Sequence, residues 1–307
     1  MNRSPPPAAA SLAADSGLAR RGARWRTGLS VFKIRIGVLI MITALGGMAI
    51  VPGSRLSLAQ VLWLALAVLV AAASAGAFNQ FVEADSDRLM ARTRGRAFAS
   101  GELPRSAGWL AAIVALVVLA VALAAVATNG IAALFVALGA ITYGVVYTLW
   151  LKRRTAWNIV IGGLSGSFAA LAGAAAVDPT IPPQAWALAL VLFLWTPPHF
   201  WSLAIAVDAD YRQAGVPMLP VVLGVERAAR IVHASALILV ASSFLPLVFG
   251  AGWVVGAGAA LGGAYFLWRT KALARAPSRK AAMAAFFASM VQLSLLLLAV
   301  VVDAAMR

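Results

Sequence analysis

The chain contains no cysteine. Disulfides, thiolate metal centres and cysteine nucleophiles are therefore excluded. Charge is nearly as scarce. Only 11% of residues are charged and 63% are apolar, with mean hydropathy +0.91, whereas soluble domains are about a quarter charged. No water-soluble core could bury that much apolar surface. The class is an all-α polytopic membrane protein. Acids are the scarcest charges: ten against 25 basic residues, for a net charge of +15. No apolar signal core precedes Val31, which argues against a cleaved secretory signal. Residues 1–32 read instead as a disordered tail, rich in Pro, Ala and Ser and then basic at Arg20, Arg21, Arg24 and Arg26. An Arg-rich, acid-poor leader also resembles a mitochondrial transit peptide. A bacterial inner membrane is the expected location, with the mitochondrial inner membrane as the alternative.

Residues 33–307 form the expected intramembrane domain. A spanning helix needs about 20 mainly apolar residues. Nine stretches qualify, near 34–51, 58–78, 109–127, 131–150, 157–176, 185–205, 231–250, 252–268 and 282–301. Of the 25 Lys and Arg, 23 fall on alternate loops; only Arg55 and Arg307 lie on the other side. The positive-inside rule places the N-terminus in the cytoplasm and the C-terminus outside. Topology thus accounts for the basic charge, no nucleic-acid motif accompanies it, and nucleic acid is not an expected partner. Two cytoplasmic loops, about 79–108 and 206–230, are long. Each begins with acids, and four helices separate them, which suggests two related half-bundles around a central cavity.

Half of the ten acids lie in these two places: Glu83, Asp85 and Asp87, then Asp208 and Asp210. Positions 79, 83 and 87 advance by four and form one slowly drifting stripe on a helix. Asn79 offers a carbonyl oxygen, and Glu83 and Asp87 offer carboxylates. Hard cations such as Mg²⁺ take one or two carboxylates plus substrate phosphates. The competing structural reading is an interfacial ion-pair network with Arg88, Arg92 and Arg94. Asp85 points off the stripe, toward solvent or Arg88. Arg92, Arg96, Lys152 and Arg153 share the expected face, and guanidiniums bind phosphate oxygens bidentately. Acids for metal beside bases for phosphate are what a diphosphate requires. The second cluster follows Trp195-Thr196-Pro197-Pro198-His199-Phe200-Trp201. Paired prolines are expected to open this helix onto a cavity. His199 is then a functional candidate or a hydrogen-bonded structural residue. His233 lacks such context and reads as structural.

Taken together, these residues resemble the UbiA superfamily of intramembrane prenyltransferases. The resemblance rests on Asn79-Gln80-Phe81-Val82-Glu83-Ala84-Asp85-Ser86-Asp87 with Arg92 and Arg96. It extends to Tyr147-Thr148, Leu151-Lys152-Arg153, and Asp210-Tyr211 through Gly215-Val216-Pro217-Met218-Leu219-Pro220, and spans about residues 33–300. The Thr-Pro-Pro-His-Phe-Trp stretch resembles the haem branch of that family. Ala97 and Ala209 depart from its pattern, and Asp208 stands beside the missing acid. The resemblance implies a UbiA-like fold and farnesyl transfer from farnesyl diphosphate to haem b. It implies Mg²⁺ at Asn79, Glu83, Asp87 and Asp210, and Lys152, Arg153 and Arg92 on the phosphates. It also implies Arg96, Tyr147, His199, Asp208 and Tyr211 as substrate-binding residues, with membrane lipid and a downstream haem A synthase as partners. Other readings are prenylation of an aromatic quinone precursor, transport of an anionic isoprenoid or haem, and a non-catalytic haem-binding assembly factor. Diphosphate release separates enzyme from transporter, and product analysis separates the two prenylations. The charge distribution generates one direct test. A reporter fused after Arg307 is expected to be active only outside the cytoplasm; cytoplasmic activity would refute the topology.

Overall fold

The structure is a computed structural model that describes residues 27–53 and 56–306. The described residues form helices and connecting turns with no strand. In chain order the helices are α1 Ile34–Ala49, α2 Leu58–Val82, α3 Ala84–Arg88, α4 Ala97–Ser100, α5 Ala107–Ala127 and α6 Gly130–Ile141. A π-helical segment, Thr142–Leu151, continues α6. Then come α7 Asn158–Gly162, α8 Leu164–Val177, α9 Pro183–Ala206, α10 Asp208–Gln213, α11 Leu219–Leu223, α12 Val225–Ser242, α13 Leu245–Val248, α14 Trp253–Arg275 and α15 Arg279–Met306. Arg55, Arg307 and most of the expected tail lie outside the described residues. Val31 is already buried, packed with Ala77, Ala84, Phe98 and Ile113.

Among the described residues, seven helical stretches are long and apolar enough to span a membrane: Leu58–Val82, Ala107–Ala127, Gly130–Leu151, Asn158–Val177, Pro183–Ala206, Val225–Val248 and Arg279–Met306. Helices stand at the other two expected positions as well, but each differs from an ideal span. The 16 residues of α1 reach about 24 Å at 1.5 Å per residue, short of a hydrocarbon core about 30 Å thick. Helix α14 carries Arg269, Lys271 and Arg275 in its last turns. Length and apolarity therefore support seven spans rather than the expected nine.

Polar side chains set several helix starts. Ser57 and Gln60 form a reciprocal capping box on α2, and Asn129 Oδ1 accepts from the Ala132 amide at 2.9 Å to start α6. Such caps satisfy amides that have no partner within the helix. Packing then closes the bundle. Helix α1 lies against α2 and α8, α2 against α5, and α6 against α8. In the second half α9 contacts α12 and α15, and α14 lies along α15; α8–α9 and α1–α15 contacts join the halves.

The Pro197-Pro198 pair does not open α9, which runs unbroken from Pro183 to Ala206. Two prolines remove the donors that would reach the Phe193 and Leu194 carbonyls. Neighbouring hydroxyls reinforce the same stretch: Thr196 Oγ1 donates to Leu192 O at 3.1 Å and Ser202 Oγ to Pro198 O at 2.6 Å. Both prolines are buried, so packing on the flanks holds the helix despite the missing bonds.

The closest approach is between α1 and α8. A Cβ built on Gly173 would lie 1.8 Å from the Ala44 carbonyl oxygen, and one on Gly47 would lie 2.0 Å from that of Ala170. Only glycine allows this backbone contact. Gly173→Val is expected to cost at least about 1–3 kcal/mol of stability. Gly166→Ala, with open space around it, is expected to be neutral. Thermal unfolding of the two variants in one detergent checks this; equal midpoints would refute the contact.

Candidate functional site

The acidic stripe lies where α2 ends. Glu83 breaks the helix with φ −89° and ψ 6°, yet the spacing survives the break. The Glu83 amide donates to Asn79 O at 2.9 Å, and the Asp87 amide to Glu83 O at 2.8 Å. Asn79, Glu83 and Asp87 are 2%, 2% and 1% exposed. Buried carboxylates are tolerated only when paired, and both are. Lys152 Nζ donates to Glu83 Oε2 at 2.5 Å, and Arg96 to Asp87 Oδ2 at 2.7 Å. The other Asp87 oxygen, Oδ1, is buried without a partner. Arg153 donates to Ser86 Oγ at 3.1 Å. Asp85 stands outside this set, paired with Arg105 at 3.0 Å and Arg88 at 3.4 Å.

The π-helical segment supplies the facing wall. Its wider turns place residues five apart on one face. Thr148 Oγ1 donates to Tyr143 O at 2.8 Å and accepts from Asn79 Nδ2 at 3.2 Å. Tyr143 and Tyr147 stack with centroids 5.6 Å apart, and Lys152 Nζ sits 5.8 Å from the Tyr147 ring centroid.

One site residue escaped the sequence reading. Lys33 Nζ donates to Asn79 Oδ1 at 2.6 Å. Removal of its ammonium from water, then the nearby Arg96 and Lys152 charges, push its pKa from 10.5 down to about 7. Its backbone is left-handed, with φ 37°, a rare and strained conformation for a side chain other than glycine. The sequence offered only its position at the start of the first apolar stretch.

The second acidic cluster does reach the first. The Asp210 carboxylate accepts from the Arg92 amide at 3.3 Å. Asp208 Oδ2 accepts from Arg212 Nε at 2.7 Å, while its Oδ1 is buried without a partner. Tyr211 and Tyr147 are both buried in one apolar cluster with Met90 and Trp201. Among the described residues, no three acidic or histidine side chains close into a ready cation cage. His199 stands apart from the acids. Its Nδ1 is 2.6 Å from Ser289 Oγ, and its ring is sandwiched between Trp195 and Phe286 at 4.0 and 4.4 Å. Both ring faces are covered, which matches the hydrogen-bonded structural alternative. His233 bonds Thr270 at 3.0 Å.

A sequence profile described as the UbiA prenyltransferase family matches residues 40–294. The chain belongs to that family. Among curated relatives, protoheme IX farnesyltransferase 2 of Paramagnetospirillum magneticum is 58% identical over 274 residues, covering 89% of this chain and 95% of the relative. Protoheme IX farnesyltransferase 1 of the same organism is 46% identical and covers 91% and 98%. The protoheme IX farnesyltransferase of Gloeobacter violaceus is 42% identical and covers 88% and 89%. A solved structure concerning digeranylgeranylglyceryl phosphate synthase superposes with TM-score 0.75 at 18% identity, covering 93% of this chain and all of that one. A UbiA homolog from Archaeoglobus fulgidus bound to DMAPP and Mg²⁺ superposes with TM-score 0.68 at 18% identity, covering 87% and 99%. At such identities the structures establish the shared fold.

The Glu83–Lys152 pair generates a test. Removing one partner of a buried ion pair strands the other charge, at a cost of about 3–5 kcal/mol. Lys152→Met is expected to lose that much stability, and Lys152→Met with Glu83→Gln to recover much of it. Denaturation midpoints of both variants decide; a single variant as stable as the parent would refute the pairing.

Proposed function

We propose that this chain transfers the farnesyl group of farnesyl diphosphate to a vinyl group of protohaem IX, giving haem O and diphosphate. The observation that carries the reading is the buried Asn79, Glu83 and Asp87 stripe faced by Lys152, Arg96 and Arg153. Acceptor oxygens and phosphate-binding cations share one small space there. The relatives named protoheme IX farnesyltransferase supply the identity of the two substrates.

The donor set is oxygen only, which suits Mg²⁺, and the unpartnered Asp87 Oδ1 is a free lone-pair site. Asn79, Glu83 and Asp87 would hold the ion, with Asp210 approaching from the other loop. Substrate phosphates complete such a shell, so a full protein cage is not required. The ion, when bound, neutralises charge on the leaving diphosphate. The chain's own residues do the rest. Lys152, Arg153 and Arg96 bind phosphate oxygens and stabilise the departing charge, with Arg92 at the edge of that cradle. The C1–O bond of farnesyl diphosphate breaks and its electron pair leaves with diphosphate. The vinyl π pair bonds to the allylic C1. Water adds to the resulting cation and loses a proton, leaving a hydroxyethylfarnesyl substituent. Tyr143, Tyr147 and Tyr211 line an apolar wall that keeps stray water from the allylic cation. The reaction belongs in an inner membrane with the N-terminus cytoplasmic, and its product suits a downstream haem A synthase.

Purified protein given haem, farnesyl diphosphate and Mg²⁺ is expected to yield haem of haem O mass. Glu83→Gln and Asp87→Asn are each expected to cut turnover by about 100-fold or more, and chelation of divalent metal is expected to mimic them. Unaltered haem in the wild-type reaction would refute the function. Near-wild-type turnover by either variant at low Mg²⁺ would refute the metal assignment.

A further inference from the structure

Beside the acidic stripe opens a cavity of about 810 Å³ lined by Leu29, Lys33, Ile34, Arg35, Arg92 and Arg96, among others. That volume lies within the roughly 300–1,000 Å³ of cofactor-sized sites. Its wall carries four cations and no acid. Two of these cations already serve the stripe: Lys33 on Asn79 and Arg96 on Asp87. The cavity therefore shares a wall with the diphosphate cradle. The other two are uncommitted. Among the described residues, neither the Arg35 nor the Arg92 guanidinium has a hydrogen-bond or ion-pair partner. Leu29, Ile34 and Ile36 line the same space and are 44%, 46% and 50% exposed. The cavity thus pairs an apolar lining with guanidiniums that lack counter-ions.

We propose that this cavity receives the carboxylate edge of the acceptor porphyrin, with Arg35 as its principal anchor and Arg92 as the second. The inference rests on the proposed haem acceptor. Protohaem is flat and apolar, with both propionates on one edge and both vinyl groups on the opposite edge. A macrocycle held by its propionates at Arg35 turns its vinyl edge away from the mouth. The wall shared through Lys33 and Arg96 brings that edge beside the diphosphate end of the donor. A guanidinium on a carboxylate supplies direction as well as affinity. Arg35 is therefore assigned to acceptor orientation, and the family's acidic stripe to the donor.

The test compares protohaem with its dimethyl ester, which keeps the ring and vinyl groups and removes both carboxylate charges. Binding is read by absorbance titration in detergent on wild type, Arg35→Gln and Arg35→Lys. Arg35→Gln is expected to weaken protohaem binding about 10-fold, the scale of one charge-assisted hydrogen bond. It is expected to leave ester binding and Mg²⁺-dependent farnesyl diphosphate binding unchanged. Arg35→Lys is expected to restore part of the preference for the free acid. Equal weakening of acid and ester would overturn the proposal. So would unchanged protohaem affinity, a loss confined to farnesyl diphosphate, or an effect seen only on affinity for vesicles of anionic phospholipid. A wild type that prefers acid over ester through Arg35 yet forms no haem O would refute the proposed reaction and sustain the carboxylate site.

Discussion

The site depends on two carboxylates kept ionised out of water. Glu83 and Asp87 are almost wholly buried, and charge in that environment demands a partner. Lys152 and Arg96 meet that demand. In doing so they tie the end of α2 to the π-helical segment and to the turn before α4. The same contacts that make the acids tolerable bring phosphate-binding cations within reach. When an anionic substrate and its metal enter, the partners can be exchanged: carboxylates to the metal, cations to the phosphates. No charge need be left bare at any stage.

Parts of this arrangement were legible in the chain. The stripe at 79, 83 and 87 follows from helical periodicity, and unbroken backbone bonds keep it even where the helix bends. The helical class followed from apolar content, and the spans lie close to where hydropathy put them. What escaped has a common cause. Lys33 meets Asn79 from 46 residues away, and Lys152 meets Glu83 from 69; sequence spacing carries no information about such pairs. The π-helical turns have no signature in hydropathy, because they alter geometry and not composition. The Pro197-Pro198 pair misled because proline reports what the backbone loses locally. It does not report the packing that retains the helix.

His199 shows the same limit from the other direction. A histidine among aromatic residues suits a macrocycle, and it suits a packed helix interface equally. The structure places it in the interface: Ser289 engages Nδ1, and Trp195 and Phe286 cover the ring. The two aromatic contacts and the hydroxyl join α9 to α15 near the point where two prolines weaken α9. The ring is thus a brace for a helix with missing backbone bonds.

The π-helical segment has a consequence for how this chain can change over time. Ten residues there wind more loosely than an α-helix, so one residue more or less turns everything beyond it by about 100°. A single deletion within Thr142–Leu151 would swing Lys152 off Glu83 while leaving composition and hydropathy almost untouched. Point substitutions in this stretch alter one side chain, but a length change re-aims a whole wall. The chain can therefore drift in residue identity there far more freely than in residue count.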